Sequence, residues 1–568
     1  MILIDLKRVA KRLGKNATEI ARDTGVNRNT INALMSGKSK DVKLSTLSAI
    51  ASTYSIPLCD LIKEKCDGVV SEKTPERRIY KQEGEIVPFT CWPVLLASQS
   101  YRLIHEGQQF GFGQLDFYFK DDYGFLLWDH DALKVLAERL YDRFSEREAH
   151  DRLLRKYRVY AAEVEQLYSE FQSVATEDMN DDFILSTLET FRDVSVGFWE
   201  YSLFIDSFDV GVDLTKMKEI AAKYNLEPQE VEILSTPSKM TFSDERKADL
   251  LSFTYRSFRN IRNNDEKKTR SILDKHADWI ERHRKEFDYY KSNYSHVKHV
   301  SREEIEAEIL GYLEQPSLLE KEYKRLGAYS EMKRKEITAI VRRHRLQENP
   351  LWFFASLTYW REHRKKVNLM GIHVMDVLLQ GIEKKLGIRK EALQYLSFDE
   401  VGNVLKGLIS GSVLERRRME GVLISATENG YRLFESQEAR SIKYDLESMI
   451  PGDDSGSSDI IVGQTASQGY AKGIARIMLT QEDFGRFHEG EILITSMTRP
   501  EFVPLMKKAA GIVTNEGGIT CHAAIVSREL GKPCVTGAKN ATQRIREGDL
   551  VEVRANHATV RILKRNDK

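Results

Sequence analysis

Apolar residues recur at three- and four-residue spacing through most of positions 131–450, and that period predicts helices. Ala132–Phe144, Ala161–Phe171, Val210–Lys223, Glu245–Arg262 and Ile305–Leu313 carry it most clearly. The run from Trp352 to Lys366 continues as a helix through Leu386, and Gly387 opens a turn. Two aromatic stretches change the period to two: Phe110–Phe119 and Tyr123–Trp128. Together with Pro88-Phe-Thr-Cys-Trp-Pro93 they predict one or two β-hairpins over 86–130, with the aromatic residues as core. Gly111 and Gly113 are too isolated to form a phosphate loop. Asp265–Glu304 is densely charged with few apolar anchors and reads as a solvated helix or arm. His276, His283, His296 and His299 lie there without acidic partners at ligand spacing, so no metal site is expected.

The first 63 residues read as five short helices. Ile4 to Leu13 is amphipathic; Ala17–Thr24 follows Asn16 as cap, and Gly25 takes a tight turn before Asn27–Ser36. Leu44–Tyr54 and Ile56–Ile62 complete the set, and Ile20, Ala21, Val26, Ile31 and Leu34 are the expected small core. Helix, short glycine turn, helix is the helix-turn-helix pattern. The strings Glu-Ile-Ala-Arg-Asp-Thr-Gly-Val-Asn-Arg-Asn-Thr-Ile-Asn and Leu-Ser-Thr-Leu-Ser-Ala-Ile-Ala resemble a Cro/cI-type repressor domain. That resemblance implies that Asn27, Arg28, Asn29 and Asn32 face the major groove, while Lys38, Lys40 and Lys43 meet phosphates. Double-stranded DNA is the implied partner and a homodimer the implied assembly.

Near the C-terminus a different chemistry is written. Gly511 to Gly537 reads as an apolar strand, a glycine loop, a helix starting at about Thr520, a Gly-Lys-Pro stop and a second strand. His522 falls in the first turn of that helix. Unpaired N–H groups at a helix N-terminus can hold a phosphate, and glycines let the backbone approach it. A neutral imidazole placed there could attack phosphorus and carry the group as a phosphoramidate.

The run Gly517-Gly-Ile-Thr-Cys-His-Ala-Ala524, followed by Arg528-Glu-Leu-Gly-Lys-Pro533 and a strand ending at Gly537, resembles the swivelling phosphohistidine domain of phosphoenolpyruvate-utilising enzymes. The resemblance extends over Val462–Gly473, Gly490–Ile494 and Gly548–Val553, about a hundred residues in all. It implies that His522 accepts the phosphoryl group beside Thr520, with Arg528 neutralising charge. It further implies that Gly517, Gly518, Ile519 and Cys521 cradle the phosphate. Phosphoenolpyruvate or ATP is the implied phosphodonor; no intrinsic cofactor is read, and Mg²⁺ would come with a partner. Rifampicin phosphotransferase is a relative of this group, and Leu351–Glu420 resembles the helical linker region that precedes the swivelling domain in some such proteins. Arg361, Glu362 and Arg364 are there read as a surface ion-pair face, with a substrate-facing role as the alternative; Glu415–Arg418 is read as solvated.

Composition sharpens this outline at a few points. The 568 residues carry 41% hydrophobic and 30% charged residues, the mixture of a globular, helix-rich chain. No apolar run nears the ~18 residues of a membrane span, no basic-then-apolar leader opens the chain, and the five cysteines are odd in number, so a cytoplasmic protein is expected. Net charge is zero overall, yet residues 1–63 hold eleven Lys/Arg against five Asp/Glu, which favours a polyanion partner for that part.

The expected architecture is multidomain and mostly α. It comprises a helix-turn-helix domain (1–64), a linker (65–85), an aromatic hairpin segment (86–130), a helical domain (131–450), a flexible linker (451–459) and an α/β swivelling domain (460–565). No Walker-type loop and no stretch fit for a (β/α)₈ barrel of about 250 residues appears beside it. The expected function is therefore phosphoryl transfer through His522, as a phosphotransferase or a carrier subunit served by a nucleotide-grasp or phosphoenolpyruvate-binding partner, coupled to sequence-specific DNA binding. The alternative is a transcriptional regulator whose swivelling domain only senses phosphorylation.

Overall fold

A computed structural model describes residues 2–4, 15–35, 46, 50, 53, 62–64, 79–100, 114–121, 123–210, 212–258, 266–427, 430–448, 459–518 and 521–566. The chain divides into two units, Met1–Glu76 and Arg77–Lys568. It is multidomain and mostly helical, and among the described residues sheet occurs in three places.

In the first unit, helices Ala17–Thr24 and Arg28–Met35 flank Gly25, whose φ of 68° is the left-handed conformation that glycine adopts without strain. Asn16 caps the first helix as expected: its Oδ1 accepts from the N–H of Thr18 and Glu19, and Glu19 Oε2 accepts from Asn16 N–H. Ile20, Ile31 and Leu34 are buried, whereas Ala21 and Val26 are half-buried. Asn16→Ala removes the side-chain half of this capping box and leaves the Glu19 bond to the backbone N–H of residue 16, and a loss of about 1 kcal/mol of local stability is expected in denaturant unfolding followed by circular dichroism. β1 (Ile2–Ile4) pairs antiparallel with β2 (Ile62–Glu64), so the chain ends of this unit meet in a two-stranded ladder that an all-helical reading omits. The predicted helices Ile4–Leu13 and Leu44–Tyr54 fall wholly or mostly outside the described residues, as do Lys38, Lys40 and Lys43; the predicted Ile56–Ile62 helix is corrected at Ile62, which begins β2.

The second unit contains a five-stranded antiparallel sheet made of β3 (Ile79–Glu85), β4 (Leu115–Lys120), β5 (Tyr123–Asp129), β6 (Val422–Thr427) and β7 (Gly430–Glu435), in the order β3-β5-β4-β6-β7. The β4–β5 hairpin is the expected one. Three expectations are corrected around it. The polar stretch read as a linker ends in strand β3, which pairs with β5 along seven residues. Pro88–Ser100 is a helix instead of a strand, apolar on nearly every side: Phe89, Cys91, Trp92, Leu95 and Ala97 are all buried, and so no helical period is visible in its sequence. Finally β6 and β7, inside the stretch read as a helical domain, complete the sheet by pairing β6 with β4 across some three hundred residues.

Most predicted helices of the body are present: His130–Phe144, Arg147–Phe171, Val212–Tyr224, Phe242–Phe258 and Arg302–Leu313. Their centre is the 35-residue helix Trp352–Leu386, about 50 Å long at 1.5 Å per residue. Most of it is buried, and it stops at Gly387 with φ 67°. The charged stretch 265–304 is not a free arm. It folds as Glu266–Lys275, Ala277–Glu286 and a 3₁₀ turn Asp288–Lys291, burying Leu273, Ile280, Phe287 and Tyr289. Nor do its histidines lack acidic partners: His283 Nδ1 lies 2.7 Å from Asp249 and His299 Nδ1 2.6 Å from Asp288. Arg417, expected in solvent, is buried and holds Glu400 with two guanidinium nitrogens and Glu435 with the third.

The C-terminal part is an eight-stranded sheet. Its strands are β8 (Ile460–Val462), β9 (Gln464–Ser467), β10 (Tyr470–Ile477), β11 (Ile492–Thr495), β12 (Gly511–Thr514), β13 (Cys534–Thr536), β14 (Leu550–Arg554) and β15 (Thr559–Lys564). Their order is β8-β15-β14-β10-β11-β12-β13-β9, with β10 to β13 parallel. Apolar clusters cover both faces of the parallel part, one around Ile492, Ile494, Val513 and Val535, the other around Leu493, Ile512, Ala523 and Cys534.

Candidate functional site

Three parallel strands bring the C-terminal residues of interest together. β11, β12 and β13 end at Thr495, Thr514 and Thr536, and the loops leaving them carry Met497–Arg499, Glu516–Gly518 and Gly537. Open α/β sheets hold ligands at this end of their strands. Gly517 has φ 95°, and a Cβ there would stand 2.6 Å from Cys521 Sγ, so both backbone and space require glycine. A Cβ on Gly518 would lie 3.5 Å from a carboxylate oxygen of Asp213, which places this loop against the helical body. The helix runs His522–Leu530 with Cys521 as N-cap, two residues later than the period suggested. Ile519 and Thr520 lie outside the described residues.

His522 is buried, 9% exposed. Its Nδ1 lies 2.8 Å from Thr498 Oγ1, while its Nε2 has no hydrogen-bond partner among the described residues. Burial holds the imidazole well below its ordinary range, and the Lys365 charge adds to the effect, so the ring is neutral at neutral pH. In the tautomer whose Nδ1–H donates to Thr498 Oγ1, the Nε2 lone pair is the available nucleophile. Thr498 belongs to a polar Thr-Arg-Pro turn after an apolar strand, the sequence signal by which it could have been found.

Nε2 belongs to a residue lining a cavity of about 210 Å³ enclosed between the helical body and the C-terminal sheet. Tyr80, Leu126, Trp128, Trp199 and Tyr294 form apolar walls, and Arg361, Arg364, Lys365 and Arg499 bring positive charge. The surface-face reading of Arg361, Glu362 and Arg364 is corrected: they lie on the cavity side of the long helix. Arg364 is already engaged, its guanidinium donating to Asp206 Oδ1 at 2.5 Å, Asp206 Oδ2 at 3.1 Å and Ser202 O at 2.9 Å. Arg499 is held more loosely: its Nη1 donates to Glu85 O at 3.4 Å and lies 3.9 Å from Glu501 Oε1, its guanidinium sits 5.0 Å over the Tyr294 ring, and its Nε is buried without a hydrogen-bond partner among the described residues. Burial pushes the carboxyls of Glu362 and Glu501 up and the Lys365 amine down. A cluster of buried, perturbed ionisable groups beside a neutral imidazole is a common mark of a functional site.

Strand β3 closes this arrangement. Glu83 N–H donates to Glu516 Oε1 at 2.9 Å, Ser496 Oγ donates to Glu83 O at 3.2 Å, and Glu85 accepts from Gln481 N–H at 2.6 Å. Comparison with known proteins agrees with this geometry. Residues 487–558 match the family described as PEP-utilising enzyme, mobile domain. The N-terminal residues 5–67 match the Cro/C1-type HTH DNA-binding domain. Similar proteins include a probable phosphoenolpyruvate synthase of Methanothermobacter thermautotrophicus, 49% identical over 105 residues, which are 18% of this chain and 15% of the relative. Another, from Archaeoglobus fulgidus, is 50% identical over 94 residues, 16% of this chain and 12% of the relative. The phosphoenolpyruvate synthase of Pyrococcus furiosus gives the same identity and coverage. The likeness is thus confined to the C-terminal region and spans less than a sixth of these relatives. No helix among the described residues is long and apolar enough to cross a membrane.

Other expected site residues are placed as follows. Asn27, Arg28, Asn29 and Asn32 are all exposed, and Asn27 Oδ1 accepts from Asn29 N–H at 2.8 Å, starting that helix. Cys521 lines the cavity. Arg528 is not with it: in the last turn of the mobile-domain helix its Nε donates to Ala466 O at 2.6 Å and lies 3.4 Å from Glu232 of the body, outside the cavity lining.

Glu529, beside Arg528, supplies a pH dependence. Burial first, then the Asp244 charge, push its carboxyl from 4.5 up to about 7, against the pull of Arg325 and Lys247. Glu529 keeps solvent contact, but beside Asp244 its carboxyl holds its proton more tightly than a free one, so contact between the C-terminal domain and the body is strongest at low pH and weakens modestly as pH rises from about 4.5 to 7. Proteolytic release of the mobile domain should accelerate across that window, and Glu529→Gln should flatten the dependence; a slope unchanged in the variant would exclude Glu529 as its source.

Proposed function

We propose that this protein transfers a phosphoryl group through Nε2 of His522, and that the cavity shared with the helical body holds the small molecule that gives or receives it. The observation that carries the reading is the unpartnered, buried Nε2 on a cavity that also presents Arg499 and Lys365. A phosphoryl group on Nε2 would meet positive charge and the unused Arg499 donor, the electrostatic support on which such transfers depend. In the step itself the Nε2 lone pair forms the N–P bond as the donor's P–O bond breaks and the leaving oxygen departs with that electron pair. Transfer onward reverses these roles at an acceptor hydroxyl, whose proton must be taken up.

Phosphoenolpyruvate and ATP are the donors to test, each alone and with cell extract supplying a partner carrying the nucleotide or phosphoenolpyruvate site. Acid-labile, base-stable phosphate on His522, located by mass spectrometry, is the expected product. No label from any donor would overturn the reading.

The N-terminal match favours a second role as output. Asn27, Arg28, Asn29 and Asn32 are exposed, which supports reading them as the face that a recognition helix would turn to double-stranded DNA. Phosphorylation adds about two negative charges, and DNA affinity that differs between phosphorylated and unphosphorylated protein would support coupling; equal affinity would separate the two activities.

A further inference from the structure

Asp288, His299 and His373 come together far apart in sequence: Asp288 from a 3₁₀ turn, His299 eleven residues on, and His373 from the long helix Trp352–Leu386. One ligand atom from each lies within 4.8 Å of the other two. His299 Nδ1 is 2.6 Å and His373 Nδ1 is 3.9 Å from the same oxygen, Asp288 Oδ2. Around a Zn²⁺ ion with bonds of about 2.0–2.2 Å, tetrahedral ligand atoms stand about 3.3 Å apart. The observed separations fall on either side of that value, and the exposed His299 side chain has room to adjust.

The remaining atoms of the buried ligands are already held. His373 Nε2 lies 2.7 Å from Ser292 Oγ, and Asp288 Oδ1 accepts from Val300 N–H at 2.8 Å. Metal-binding histidines and carboxylates are oriented by such outer contacts, which leave one ring nitrogen and one oxygen for the ion. The nearest cation, Arg284, is 4.0 Å from Oδ1, the oxygen turned away from the histidines, and is paired at 2.8 Å through both Nε and Nη2 with Glu281. All three residues line a second cavity of about 300 Å³, lined also by Tyr168, Gln172 and Gln380.

We propose that Asp288, His299 and His373 bind a divalent transition-metal ion of the Zn²⁺ class, with a coordination position open to this cavity. Two imidazoles and one carboxylate form a borderline donor set that suits Zn²⁺ or Co²⁺ better than Mg²⁺ or Ca²⁺. The site is separate from the His522 cavity and does not rest on the phosphoryl-transfer reading.

The test uses the full chain, stripped with a chelator and titrated with Co²⁺ while the visible d–d absorption is followed. Bound Zn²⁺ is then counted by elemental analysis after gel filtration. One equivalent with tetrahedral-type absorption is expected. The exposed His299→Ala change should weaken binding at least tenfold without altering the circular dichroism, and Asp288→Asn should do the same. Cys521→Ser, which removes the thiol beside His522, should bind as the parent does. No bound metal, equal binding by the His299→Ala variant, or loss of binding in Cys521→Ser alone would each overturn the proposal.

Discussion

His522→Ala is expected to lose all detectable acid-labile phosphate, a drop of at least a thousandfold in labelling rate. Removing the nucleophile of a covalent mechanism costs more than removing any group that merely supports it. Cys521 and Thr498, which line the same cavity, do not replace an imidazole as phosphoryl carrier. Because His522 is buried, the alanine variant should also be checked by circular dichroism; His522→Gln keeps a polar side chain at the site and should be equally inactive. Thr498→Val separates the roles of the two ring nitrogens. It leaves Nε2 in place but removes the Nδ1 partner 2.8 Å away, so the tautomer with its lone pair on Nε2 loses support. Labelling should be slower by about tenfold instead of absent, a size that follows from losing one hydrogen bond of about 1–1.5 kcal/mol. If the Thr498→Val variant labels as fast as the parent, Nδ1 has no part in holding the ring.

Arg417→Ala should cost about 3 kcal/mol of stability, measured by denaturant unfolding of the full chain. The guanidinium bonds Glu400 at 2.7 Å through both terminal nitrogens, Glu435 at 2.8 Å through Nε, and Tyr395 O at 3.2 Å. Taking away one partner of a buried ion pair leaves the other charge stranded, at about 3–5 kcal/mol; the low end applies because the two carboxylates are 21% and 30% exposed. Arg417→Lys should recover little, since a lysine cannot present three donors in one plane. A loss under 1 kcal/mol for Arg417→Ala would mean that the pair is effectively solvated, as its sequence suggested.

That contrast shows where reading the sequence reaches its limit. Glu415-Arg-Arg-Arg418 gives no sign of which arginine is buried, because the partners Glu400 and Glu435 are set by the docking of a 3₁₀ turn and of strand β7. His299 and His373 likewise share Asp288 only because the long helix passes the 3₁₀ turn. Helix Pro88–Ser100 was hidden for a different reason: a segment buried on all sides shows no polar face to mark its period.

What the sequence determined alone is local. The Asn16 cap and Gly25 turn, the amphipathic helices of the body, and the strand, glycine loop and helix that carry His522 are each written within some twenty-five residues, since caps, turns and periodicity act over one or two turns of chain. The tertiary structure decided the rest: a sheet closed by strands three hundred residues apart, Arg528 turned away toward Ala466 and Glu232, and Arg361, Lys365 and Arg499 gathered on the cavity that His522 lines. Burial and long-range pairing produce those features, and neither leaves a periodic trace in the chain.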